Sequence, residues 1–146
     1  MSLNGSVHGS GQRIVFLDAV AITTALTAVT TTPVQFLTGL NYLSVQVNFV
    51  YGSGGTTAKI WVQTSHDGGA TWSDIMSFAF LVTSLRKVSS VCTFIAPTAQ
   101  AFVQTDGTLA DDTVIQGTLG SIFRLKYTTT GIYAGTTVSV DGIAKG

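Results

Sequence analysis

The stretch Tyr42–Phe80, YLSVQVNFVYGSGGTTAKIWVQTSHDGGATWSDIMSFAF, decides the fold class. From Leu43 its residues alternate: Leu43, Val45, Val47, Phe49 and Tyr51 fall on one side, Ser44, Gln46 and Asn48 on the other. A period of two is that of a strand with one buried face. Gly52-Ser53-Gly54-Gly55 interrupts it with residues that take positive φ at little cost. Alternation resumes with Ala58, Ile60, Val62 and Thr64 set against Lys59, Trp61, Gln63 and Ser65. A second turn, Asp67-Gly68-Gly69, leads into Trp72–Phe80. Three strands joined by two turns are expected, as a β-meander.

The composition of the whole chain agrees with sheet. Of 146 residues 45% are hydrophobic and 10% charged, and the mean hydropathy is +0.43. A typical soluble domain carries about 25% charged residues. Every acid is Asp, and the abundant Thr, with Val, Ile and Phe, favours pleated sheet over helix. No run of about 18 apolar residues exists, so a spanning helix is excluded. The strands are too few, and lack the aromatic girdles, for a transmembrane barrel. A charge-poor chain of net charge zero tends to self-associate, so a subunit of an assembly is expected. Seven basic against seven acidic residues leave no excess for a phosphate backbone, and nucleic-acid binding is not expected. The single Cys92 rules out an internal disulfide and reads as a small buried hydrophobe. The first residues lack a charged and then apolar leader, so no signal peptide is expected and assembly in a cytoplasm follows.

Along the chain, residues 1–12 (MSLNGSVHGSGQ) are Gly- and Ser-rich and read as a flexible arm, with Leu3 and Val7 as its partner-anchoring residues. Residues 13–146 read as one domain. Ile14–Leu17 and Val34–Leu37 are short strands, and one or two more fall in 19–32. Leu85–Ile95 alternates, residues 99–105 suit an edge strand, and Asp106–Asp112 is a polar loop. Val114–Leu119, Ile122–Thr129 and Thr136–Ile143 complete the set, with a turn at Gly131–Gly135. Eight to ten short strands predict an all-β protein, an antiparallel β-sandwich of jelly-roll type.

Little chemistry is nominated. His8 and His66 are the only histidines, and no His/Cys spacing suits zinc. Asp106, Asp111 and Asp112 cluster on a loop, where carboxylates can hold a cation, but no calcium-loop pattern accompanies them. Nucleophile-elbow, phosphate-loop and dinucleotide motifs are missing. No catalytic residue, cofactor site or metal site is assigned, and no enzymatic activity is expected. Trp61, Tyr51 and Tyr133 offer rings that either stack on a glycan or, as is commoner in two-layer sandwiches, fill core and interface.

The sharpest local motif is Ser65-His66-Asp67-Gly68-Gly69-Ala70-Thr71-Trp72. It resembles the Asp-box of sialidases and other β-propeller proteins, where the box is a structural turn remote from the catalytic centre. That resemblance implies a hairpin turn built by Ser65, Asp67, Gly69, Thr71 and Trp72; a sugar-binding turn is the alternative. A second resemblance covers about half of the chain. Tyr42 to Ile75, with V-Q-T-S followed by D-G-G-x-T-W-x-D-I, is similar to small virion structural proteins of tailed bacteriophages. So are Ile122-Phe123-Arg124-Leu125-Lys126-Tyr127, the T-T-T-G after it, and the T-T-V-S-V strand ending in Ala144-Lys145-Gly146. It implies a jelly-roll capsid decoration or cement protein, localised to the virion, whose partners are copies of itself and a major capsid protein. A tail or adsorption component, or a carbohydrate-binding β-sandwich module, is the alternative.

Overall fold

The computed structural model describes residues 11–36, 40–95 and 101–146. No helix occurs among the described residues. The strands are β1 (Gln12–Ile22), β2 (Val29–Thr30), β3 (Val34–Gln35), β4 (Tyr42–Val50), β5 (Ser53–Gly54) and β6 (Thr57–Ser65). They continue with β7 (Ser73–Phe80), β8 (Leu85–Cys92), β9 (Ile122–Thr130), β10 (Tyr133–Ala134) and β11 (Thr136–Lys145).

Two antiparallel sheets face each other. The first has the order β1-β11-β4-β8, the second β2-β9-β6-β7 with β3 also on β9. If β2 and β3 are taken as one strand interrupted at Pro33, and the small β5–β10 pair is set aside, eight strand positions remain. First then pairs with eighth, third with sixth, second with seventh and fourth with fifth. That nesting is an antiparallel ribbon rolled into a two-layer sandwich: a jelly roll.

The inner faces are those the alternation marks. Leu43, Val45, Val47 and Phe49 of β4 and Val138 and Val140 of β11 pack against Ala58, Ile60 and Val62 of β6 and Phe123 and Leu125 of β9. Each of these Val, Leu, Ile and Phe side chains withdrawn from water contributes about 1.5–3 kcal/mol. The Phe49 ring stacks on Phe80 at 4.9 Å between centroids and meets Tyr133 edge-on at 5.8 Å.

The expected meander is corrected. β6 and β7 form a hairpin, but β4 pairs with β11 and β8 and lies in the other sheet from β6. The Gly52–Gly55 segment is a crossing between sheets, pinned by β10. A Cβ on Gly52 would lie 2.2 Å from the Ala134 carbonyl oxygen, and one on Gly55, at φ +70°, 2.3 Å from the Tyr133 ring. Gly-rich punctuation reads alike for a hairpin and a crossing, because both need positive φ and close backbone approach.

Other expectations shift too. Residues 101–105 form no strand, and of Val114–Leu119 only Val114 makes a bridge, to Met76. Cys92 is half-buried rather than core, because the β8 side chains that turn inward are those in step with Val91. Residues 1–10, with Leu3 and Val7, lie outside the described residues, as do residues 37–39 and 96–100. Gln12, the last residue expected in the arm, is the first of β1 and pairs with Ala144.

Candidate functional site

Three neighbouring strands, β7, β6 and β9, present polar groups on the outer face of the second sheet. These are Asp74 and Ser77, then Lys59, Trp61 and Gln63, then Arg124 and Lys126. A β-bulge helps to aim them: Val62 opposes Met76 and Gln63 opposes Asp74, so Ile75 is the extra residue. Segment 105–115 lies over this face. Its organiser is Asp74, which is 0% exposed. One carboxylate accepts from five donors. Gln63 Nε2 bonds Oδ1 at 2.8 Å, and Gly107 N–H reaches both oxygens at 2.9 and 2.8 Å. Thr105 Oγ1, Thr108 N–H and Leu109 N–H bond Oδ2 at 2.9, 3.0 and 3.1 Å. Converging backbone amides of this kind make an anion cradle. Here the protein's own carboxylate fills it.

Trp61 is held under the same segment, its Nε1–H donating to the Leu109 carbonyl at 3.1 Å. Ser77 Oγ donates to the Ala110 carbonyl. The three loop aspartates are dispersed among separate cations. Asp106 meets Lys126 Nζ at 2.8 Å, Asp111 meets Lys59 Nζ at 3.0 Å, and Asp112 meets Lys87 Nζ at 2.9 Å. Partial burial disfavours the Asp106 anion, but hydrogen bonds from Lys126 and Gln63 outweigh it and lower the pKa below the ordinary value. The three carboxylates therefore do not gather into a cation site. No group of three or more potential metal ligands occurs among the described residues. Four of the seven Lys and Arg residues pair with this loop's acids, so the chain's sparse charge serves mainly to hold the loop down.

The Ser65–Trp72 turn brings together the residues singled out for it. Ser65 Oγ donates to Asp67 Oδ1 at 2.8 Å and accepts from Gly69 N–H at 2.8 Å. Thr71 donates through its N–H to Oδ1 at 2.8 Å and through Oγ1 to Oδ2 at 2.6 Å. The Thr71 hydroxyl, then its amide, then Ser65 lower the Asp67 pKa to about 2. Gly69 sits at φ +94°, and Trp72 lies buried beneath. Its ring carries the Arg124 guanidinium 4.2 Å from the ring centroid. Arg124 Nε in turn donates to Gln63 Oε1 at 2.8 Å, which links the turn to Asp74 through Gln63.

None of the three rings considered for glycan stacking forms an exposed platform. Trp61 and Tyr133 are buried and Tyr51 half-buried. Both tyrosine hydroxyls are taken up by the protein's own backbone, Tyr133 donating to the Leu81 carbonyl and Tyr51 to that of Gly54. A shallow groove of about 360 Å³ does lie beside the turn, between His66, Thr71, Phe102 and Gln104. His66 Nε2 there sits 3.1 Å from Thr118 Oγ1.

Sequence reasoning missed Asp74, Gln63 and Arg124. The one available signal was a carboxylate between Ser73 and Ile75, at the start of the second strand of a hairpin. Four of its five partners, Thr105, Gly107, Thr108 and Leu109, lie some thirty residues away, at the end of the expected edge strand and in the polar loop after it. The fold defines the class of the molecule, an antiparallel jelly-roll β-sandwich. Comparison with family models, with curated proteins and with solved structures gives no match for this chain.

Proposed function

We propose that this protein is a non-enzymatic virion structural protein, a decoration or cement subunit that binds between the major capsid subunits of a tailed-bacteriophage particle and associates with itself. The observation that carries the reading is a jelly-roll sandwich whose surface is poor in free charge and rich in aliphatic and aromatic side chains. Phe94 is 81% and Val103 87% exposed, and Leu81, Val82 and Ile132 are exposed as well. Large apolar groups standing in water favour a partner surface. The pairing of the loop carboxylates with Lys59, Lys87 and Lys126 also supports a structural rather than a catalytic role. The resemblance read from Tyr42–Ile75, from Ile122–Tyr127 with the T-T-T-G after it, and from the C-terminal strand is what suggests a phage particle.

One observation favours a second reading, a carbohydrate-binding module. Phe102, beside Gln104 and His66, offers a ring and polar groups in one groove. The two readings separate experimentally. Full-length protein should co-sediment with capsids assembled without it and raise their resistance to heat. Removing residues 1–10 should leave a folded domain that attaches markedly less. Failure to bind any particle, together with a saturable glycan-array signal lost in Phe102→Ala, would replace the first reading with the second.

A further inference from the structure

Sheet edges are templates for strand addition, and native folds protect them. Three of the four edges of this sandwich carry a device. The β1 edge is bulged, with register shifts between Val15 and Val20 and Ala19 at φ +46°. The opposite edge of the second sheet consists of two two-residue strands, β2 and β3, separated by a stretch containing Pro33. The β7 edge is sealed along its length by segment 105–115. Asp74 N–H donates to the Thr105 carbonyl, Ile115 N–H to that of Ile75, and Ser77 N–H to that of Thr113; Ala79 N–H donates to Asp112 Oδ1.

The β8 edge is sealed over only half its length. There the Gln116 side chain imitates a strand: Cys92 N–H donates to Oε1 at 2.9 Å, and Nε2 donates to the Ser90 carbonyl at 3.0 Å. Ser90 and Cys92 therefore direct their backbone polar groups outward, and the period of two directs those of Arg86 and Val88 the same way. Among the described residues nothing pairs with those groups. Exposed aliphatics flank the gap, with Leu85 47% and Val88 64% exposed. Beneath it runs a groove of about 370 Å³, lined by Ser77, Phe78, Lys87, Val88, Ser89 and Asp112.

We propose that this open edge is the self-association site, where β8 of a second copy pairs antiparallel across a two-fold axis at Lys87. In that register Arg86 of each copy opposes Val88 of the other, and the two exchange four backbone hydrogen bonds. The aliphatic stem of each Arg86 covers the other copy's Val88. Leu85 opposes Ser89 and enters the groove beside Phe78. The two Lys87 residues meet at the axis, but each ammonium is held by its own Asp112, 2.9 Å from both carboxylate oxygens. The pairing is self-complementary, as a two-fold interface requires. It names a contact for the self-association in the functional reading, yet it rests on the sheet edges alone.

The test is sedimentation velocity of the full chain across a wide concentration range, with amide hydrogen exchange read at Arg86 and Val88. A concentration-dependent dimer is expected, with both amides protected more strongly as it forms. Val88→Pro removes one outward N–H per copy at an edge position where proline is tolerated, and should weaken the dimer roughly 30-fold without unfolding the domain. Val88→Lys keeps the N–H but sets a cation beside the partner copy's Arg86, and should weaken it too. A monomer at every concentration, protection that ignores concentration, or a dimer unaffected by both substitutions would each overturn the proposal. Because particle binding is measured separately, a monomer that still attaches to capsids would refute this contact and leave the functional reading standing.

Discussion

Asp74→Asn is the most informative single change, since it keeps the shape of the side chain and alters only what it can accept. The carboxylate takes hydrogen bonds at both oxygens, and an amide can accept at one. With its NH₂ at the Oδ2 position it would face the amides of Gly107, Thr108 and Leu109. Turned over, it would face Gln63 Nε2 and Gly107 N–H. In the better orientation, the second, Gly107 N–H keeps its bond to the other oxygen, so one donor, Gln63 Nε2, loses its acceptor there. A buried donor left without an acceptor costs about 1–3 kcal/mol, and the loss should be of that size. Marginal stability makes that a large fraction of the total. Urea unfolding should show a lower midpoint with an unchanged slope. The amides of Thr108 and Leu109 should exchange faster under native conditions. A loss below about 1 kcal/mol, with unchanged exchange at those amides, would refute the idea that Asp74 organises the loop, since even one unsatisfied donor costs that much.

Two further outcomes are expected. Asp67→Asn should destabilise the fold at neutral pH, and the sign of its pH dependence is set. The folded-state pKa, about 2, lies below the unbound value of 3.8, so the carboxylate's contribution is present above pH 3.8 and fades as pH falls towards 2. Urea midpoints of wild type and variant should therefore converge across that interval; a constant gap would contradict the turn geometry. Gly120→Ala should abolish soluble expression or cooperative unfolding, because its Cβ would lie 2.0 Å from the Ser65 carbonyl oxygen. Gly68→Ala meets open space and should lose only the roughly 1–2 kcal/mol of a strained positive φ, a contrast that thermal melts of the two variants would check.

The strands β4, β6, β9 and β11 and the Ser65–Trp72 turn were legible in the sequence because each rests on local chemistry. Alternation records which side of a strand is withdrawn from water, and Ser65, Asp67, Gly69 and Thr71 satisfy one another within seven residues. Such a pattern says that Leu43–Phe49 and Ala58–Val62 each bury a face, but not whether they share a sheet. The tertiary structure decided that, since the partners of β4 are β8 and, some ninety residues on, β11, and the choice of partner leaves no mark in the period of either strand. It also decided that the polar loop after Thr105 is a cover rather than an open loop. A carboxylate such as Asp74 gains its role only when distant backbone amides are folded onto it, and backbone amides look the same in every sequence.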